Sequence, residues 1–318
     1  MNMQPTSRAA SPLRGVFAAL VTPMTADEEI DLPKLAEAAD RLIRRGVHGL
    51  VPLGSTGEYY ALSADERDLV LRTTLETAAG RVPVVAGTNA GSTREVIAYS
   101  TQAEKLGCAG IMLAAPYYSL PGPEELFAHF KAVNDAIGVP IIVYNYPGRT
   151  GVDMTPALLE RLAELRNVRY VKESTGEMSR ITELLRRCGD RLGVFCGCDT
   201  IALESLMVGA MGWIGGVANV LPASHVRLYE LAVERSEYGA ARKLFFEMLP
   251  LLELMEGSGK YTQWVKAACG LMGCDCGPPR RPLGPATAEE LADLREVLLQ
   301  TAEGRRAVMQ ERPSRLLA

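Results

Sequence analysis

Val168-Arg169-Tyr170-Val171-Lys172-Glu173-Ser174-Thr175 reads as an apolar β-strand that carries a lysine near its C-terminal end. Burial strips an ammonium of hydration and lowers its pKa, which frees the neutral amine as a nucleophile toward carbonyl compounds. The bland alternative is an edge strand, or a lysine whose stem lies on the surface with its head in solvent. The neighbouring sequence decides between them. Seven further short apolar runs, bounded by Gly, Pro or polar residues, share the character of this one: 15–22, 49–54, 82–88, 110–116, 140–145, 192–198 and 212–219.

Amphipathic stretches separate the runs. In 33–45, Leu35, Ala38, Ala39, Leu42 and Ile43 fall on one helical face, and 64–79 opens on a Ser63/Glu66 capping box. Thr155-Pro156 supplies an N-cap followed by proline at the first helical position. Eight strand-helix units predict an α/β protein of the (β/α)8 TIM-barrel type. An open doubly wound sheet is the competing architecture. Against it, Leu20-Val21-Thr22-Pro23-Met24 stands after the first strand, where a glycine-rich dinucleotide fingerprint belongs. Beyond about residue 230 the pattern becomes helical only, at 238–256, 260–272 and 286–301, with Gly277-Pro278-Pro279 as a break. The expected division is a barrel carrying the active site over 13–230 and a C-terminal helical extension over 231–303, with a polar tail from Gly304.

Of the 318 residues, 47% are hydrophobic and 23% charged, and the net charge is −4. That balance offers no general attraction for nucleic acid or an anionic membrane, so a small-molecule partner is expected. The opening Met1-Asn2-Met3-Gln4-Pro5-Thr6-Ser7-Arg8 lacks the apolar core of a signal peptide, and no run approaches the ~20 apolar residues of a membrane span. A cytoplasmic location is expected. The seven cysteines, an odd number, read as free thiols. The Cys269, Cys274, Cys276 spacing is not a usual zinc pattern.

Barrels of this kind build their sites at the C-terminal ends of the strands. There the sequence offers Gly54-Ser55-Thr56-Gly57-Glu58, Pro116-Tyr117-Tyr118, Tyr144-Asn145-Tyr146-Pro147-Gly148-Arg149, Lys172-Glu173-Ser174 and Cys196-Gly197-Cys198-Asp199. The set meets the needs of imine chemistry on a 2-oxo acid. Lys172 attacks the ketone and a phenol such as Tyr144 shuttles protons to the carbinolamine. The Ser55-Thr56 turn holds the keto acid's carboxylate, while Arg149 offers a two-pronged grip on a second one. Taken singly, each element has a structural reading: the turn as a turn, Tyr144 as packing, Arg149 as a surface charge, Asp199 or Ser174 as an N-cap.

Together these motifs resemble the dihydrodipicolinate synthase and N-acetylneuraminate lyase superfamily of class I, pyruvate-dependent aldolases. The likeness rests on Gly54-Ser55-Thr56-Gly57-Glu58, Tyr144-Asn145 with Pro147, Tyr170-Val171-Lys172-Glu173-Ser174 and Gly215-Gly216-Val217-Ala218-Asn219, and runs from about 13 to 300. The resemblance implies an imine between Lys172 and pyruvate, with Tyr144, Thr56 and Tyr118 as the proton relay. It also implies pyruvate carboxylate binding at Ser55 and Thr56, pocket walls from the backbone at Gly197 and Ile214, and aldehyde carboxylate binding at Arg149. The tyrosine matching Tyr118 enters a neighbouring subunit's site in that family, which implies a homo-oligomer, a dimer or homotetramer. No organic cofactor or metal is implied.

Some residues depart from the synthase pattern. The Ser55-Thr56 pair is closer to sugar-acid lyases, Tyr59-Tyr60 is bulky, and Gly91 stands where lysine-inhibited members carry asparagine, although Glu95 keeps an acidic position. The strand around Gly212-Trp213-Ile214 also has a likeness to members acting on sugar acids or hydroxyproline-derived imines. The leading expectation is a synthase joining a 2-oxo acid to an aldehyde. The alternatives are a paralogue cleaving or dehydrating another 2-oxo acid, a metal-dependent aldolase using His48, His129 and His225, and a non-catalytic 2-oxo-acid-binding barrel.

Overall fold

The computed structural model describes residues 13–310; the N-terminal octapeptide read for a signal peptide lies outside them. Eight strands form, β1 (Gly15–Ala19), β2 (Gly49–Val51), β3 (Val85–Gly87), β4 (Gly110–Ala114), β5 (Ile141–Asn145), β6 (Val168–Glu173), β7 (Gly193–Cys196) and β8 (Gly212–Gly215). All pair in parallel, in the order β2-β1-β8-β7-β6-β5-β4-β3. A parallel bridge between Leu50 and Val84 joins the two ends into a barrel. The strands are shorter than the apolar runs, because the backbone leaves the ladder at the barrel mouth while the side chains stay buried, as at Leu20 and Val21.

Helices α1 (Leu32–Arg44), α2 (Ala64–Ala78), α3 (Thr93–Lys105) and α4 (Pro123–Ala136) follow β1 to β4. The short α5 (Pro147–Thr150) and α6 (Pro156–Leu162) follow β5, and α7 (Met178–Cys188), α8 (Ala202–Met207) and α9 (Pro222–Tyr229) follow β6 to β8. The sequence signals act as read: Ser63 Oγ accepts from Glu66 N and the Glu66 carboxylate accepts from Ser63 N, and Thr155 caps α6. After a π-helical turn at Glu230–Glu234 come α10 (Tyr238–Gly257), α11 (Tyr261–Leu271), α12 (Ala288–Leu298) and α13 (Ala302–Gln310). The expected polar tail from Gly304 is corrected by α13. Thr301 Oγ1 accepts from Gly304 N, and the buried Glu303 carboxylate accepts from both the N and Oγ of Ser224 at 2.8 Å, which ties this helix to α9.

Strand side chains alternate between two cores. Phe17, Val51, Val85, Met112, Ile142, Tyr170, Phe195 and Ile214 fill the barrel interior, while Val16, Leu50, Ile111, Val143, Val171 and Val194 pack outward under the helices. Each large apolar side chain so buried contributes about 1.5–3 kcal/mol. Among the described residues no helix is long and apolar enough to cross a membrane.

Candidate active site

The same alternation aims two polar side chains inward. Tyr144 lies two residues beyond Ile142 on β5 and Lys172 two beyond Tyr170 on β6, so both continue the interior stack upward into the mouth. They are paired in register across the two strands. Lys172 is 5% exposed, and its Nζ lies 4.1 Å from the centre of the Tyr144 ring. Burial lowers the Lys172 pKa, opposed chiefly by Asp199 and then by Tyr146 and Glu256. Burial and Glu256 push the Tyr144 phenol far up, against the hydroxyls of Ser174 and Ser55. Lys172 is therefore neither on an edge strand nor reaching into solvent.

The Ser55-Thr56 turn is clamped from below. Gly57 N donates to Gly54 O, Thr22 Oγ1 donates to Gly57 O, and a Cβ at Gly57 would stand 2.8 Å from Leu20 O. Glu58 follows in the left-handed region, φ 57°, with its carboxylate 2.5 Å from Lys266 Nζ and accepting from Arg280 N at 2.8 Å. This buried pair anchors the turn to α11. On the opposite wall Asn145 donates to Glu173 and Asp153 and accepts from Met154 N, fixing the chain that leads into α5 and Arg149.

A cavity of about 350 Å³ opens over the barrel mouth, and Ser55, Thr56, Tyr144, Arg149, Lys172 and Gly197 all line it. Two residues singled out in the sequence do not. Ile214 lies one residue deeper, fully buried in the barrel core, and Gly215 and Gly216 form that wall. Tyr118 is 95% exposed, with φ 73°, and its neighbour Tyr117 lines the cavity instead.

The helical extension supplies part of the wall, through Glu256 at the end of α10 and Tyr261 and Thr262 at the start of α11. Sequence reading assigned these no role; a sparse trace is the polar break Glu256-Gly257-Ser258-Gly259-Lys260-Tyr261 between two apolar helices. Glu256 Oε1 accepts from Asp199 N at 3.0 Å. Asp199 is fully buried, with its carboxylate accepting from Trp213 Nε1 at 2.8 Å and, in a short hydrogen bond, from Tyr261 OH. Burial and Glu256 raise its pKa to about 7, while the hydrogen bonds from Tyr261 and Trp213 pull it down. Tyr261 OH in turn accepts from Gly216 N. Asp199 therefore serves this buried network, not a helix N-cap.

The histidines are apart from one another and engaged elsewhere. His48 Nδ1 accepts from Val16 N, His129 pairs with Thr93, and His225 stacks on Trp213 with its Nδ1 against Leu221 O. Among the described residues no three His, Cys, Asp or Glu side chains are placed to hold one metal ion. All seven cysteines are free.

Fold and site together define a (β/α)8-barrel enzyme of the lysine-nucleophile class, with a desolvated amine at the C-terminal ends of its strands. The chain belongs to the dihydrodipicolinate synthetase family, whose model matches residues 12–301. A 4-hydroxy-tetrahydrodipicolinate synthase of Pelobacter propionicus is 39% identical over 272 residues, covering 86% of this chain and 93% of that one. The solved structure of the chloride-inhibited dihydrodipicolinate synthase of Acinetobacter baumannii, complexed with pyruvate, is 32% identical with a TM-score of 0.86, covering 91% of this chain and 99% of that one. A solved structure described as a monomeric dihydrodipicolinate synthase variant is 33% identical with a TM-score of 0.86, covering 90% and 96%.

Proposed function

We propose that this protein is a 4-hydroxy-tetrahydrodipicolinate synthase, condensing pyruvate with aspartate semialdehyde through an imine on Lys172. The observation that carries the reading is the desolvated Lys172 amine set against Tyr144 at the mouth of the barrel. The amine adds to the ketone carbon of pyruvate, and the carbinolamine loses water to give the imine. Loss of a methyl proton gives the enamine, whose carbon attacks the aldehyde; the acceptor's own amino group then attacks the imine carbon, closing the ring and expelling the free lysine amine. Tyr144 and Thr56 move the protons, with Tyr118 contributed by a neighbouring copy. Ser55 and Thr56 hold the pyruvate carboxylate, Gly197 with Gly215 and Gly216 shapes that wall, and Arg149 takes the carboxylate of the aldehyde. No organic cofactor or metal enters this scheme.

The same reading divides the chain into a barrel over 13–230 and an extension over 231–303, and makes the enzyme a cytoplasmic homo-oligomer, a dimer or tetramer. The exposed Tyr118, outside its own chain's cavity, favours assembly. The test is condensation of pyruvate with aspartate semialdehyde, measured beside cleavage of N-acetylneuraminate and of 2-keto-3-deoxy sugar acids. Turnover of the semialdehyde, weakened in Arg149→Ala with the pyruvate imine retained, is the expected result. Absence of that turnover in the intact protein overturns the proposal, and cleavage of a sugar acid would then identify the paralogue reading.

A further inference from the structure

The cavity carries two charged side chains that no local partner neutralises. Arg149, on α5, is exposed, and Glu256, at the end of α10, is half-buried; both line the cavity. Among the described residues neither takes part in an ion pair. Both act electrostatically on Tyr144 and Tyr146, the tilted ring pair whose centres are 5.8 Å apart, so they flank the same stretch of wall. Glu256 and Lys172 line the same cavity, and the Glu256 charge acts on the lysine.

Its position is built rather than incidental. Oε1 is held by the backbone N–H of Asp199 at 3.0 Å, and Asp199 is itself fixed by Trp213 and Tyr261. Among the described residues no hydrogen bond to Oε2 is found, so that oxygen is left for a ligand. A cavity with one guanidinium and one carboxylate, each without an ion-pair partner among the described residues, is complementary to a ligand carrying both signs of charge.

We propose that Glu256 is a specificity residue that binds the α-ammonium of an amino-acid semialdehyde while Arg149 binds its α-carboxylate. This rests on the synthase reading and adds to it the side chain that recognises the acceptor's amino group. A semialdehyde that has the carboxylate but no amino group satisfies Arg149 and leaves Glu256 desolvated and unpaired, so it is the poorer substrate.

The test compares aspartate semialdehyde with succinate semialdehyde, which lacks only the amino group, in the intact enzyme and in Glu256→Gln. Glutamine keeps a carbonyl oxygen to accept from Asp199 N and removes the charge. Trapping pyruvate on Lys172 with borohydride in the same preparations reports whether fold and nucleophile are intact. The expected result is that Glu256→Gln raises the KM for aspartate semialdehyde about ten-fold or more relative to the KM for succinate semialdehyde, while any change in kcat that acts through Lys172 is common to the two aldehydes. Equal losses for both aldehydes, or no loss for either, overturn the proposal and leave the synthase reading standing. If the intact enzyme traps pyruvate yet turns over neither aldehyde, the synthase reading itself fails, and the assignment of Glu256 fails with it.

Discussion

Tyr144 and Lys172 are register partners on adjacent parallel strands, and the lysine nitrogen sits 4.1 Å from the centre of the tyrosine ring. Two polar side chains are thereby carried into a barrel whose lower interior is apolar. An ammonium over an aromatic face is partly compensated for lost hydration, but burial is the dominant influence on Lys172 and favours the free amine. The principal charge opposing it is Asp199, which makes that residue a natural place to test the electrostatics.

Asp199→Asn removes a carboxylate that favours the ammonium, so the Lys172 pKa should fall further. Because the free amine is required, the rate of borohydride-trapped imine formation should exceed the parent's where Asp199 is ionised, above about pH 7, and approach it at lower pH. An unchanged pH profile would show that Asp199 does not act on Lys172. Stability carries an independent signature. With a folded pKa near 7 against an ordinary value of 3.8, folded Asp199 holds a proton that the unfolded chain has lost. Its contribution to stability is present below about pH 4 and is lost as pH rises toward 7. Relative to Asp199→Asn, the parent's Tm should decline across that window, and the two curves should run parallel above it.

Gly197 has no room for a side chain. A Cβ there would lie 2.0 Å from Ser174 Oγ and 2.7 Å from Lys172 Cε. Gly197→Ala should displace the lysine and cut kcat/KM by about 10²-fold, as displacements near 1 Å do. Steady-state kinetics set beside thermal unfolding test this, the expectation being a larger loss in catalysis than in Tm. Full activity would show that the lysine end has slack.

Lys266 and Glu58 form an ion pair that is almost wholly buried, with Lys266 also donating to Pro278 O at 2.9 Å. Burial lowers the Lys266 pKa and Glu58 raises it. Breaking one partner strands the other, so Lys266→Met or Glu58→Gln should each cost about 3–5 kcal/mol. The double variant should lose clearly less than the sum. Additive losses in denaturant titrations would contradict a direct pairing.

Tyr118 yields a test of assembly. Lys172→Ala and Tyr118→Phe chains should each be impaired alone. Co-assembled, they should regain activity above the mean of the two, because one site then receives an intact lysine and an intact tyrosine from different copies. Failure to regain activity in verified mixed oligomers would place the tyrosine's action within its own chain.

Much of this architecture was legible before the structure. Eight apolar runs separated by helical faces specify the barrel, and the rule that strand ends carry the chemistry brought Ser55, Thr56, Tyr144, Arg149, Lys172 and Gly197 to one cavity. What stayed hidden has a common physical cause. Glu256 and Tyr261 belong to helices beyond the barrel, and which end of a barrel an added helix covers depends on tertiary packing that local patterns do not encode. Asp199 looked like an N-cap because its buried partners, Trp213 and Tyr261, are 14 and 62 residues away in sequence. The helix from Ala302 was missed because the Glu303 carboxylate that secures it pairs with Ser224, 79 residues earlier.

The most direct measurement is reduction of the protein with borohydride in the presence of pyruvate, followed by intact mass and peptide mapping. The account predicts one reduced-pyruvate adduct per chain, located on Lys172 and absent from Lys172→Ala. A folded protein that gains no adduct, or gains it on another lysine such as Lys266, would contradict it.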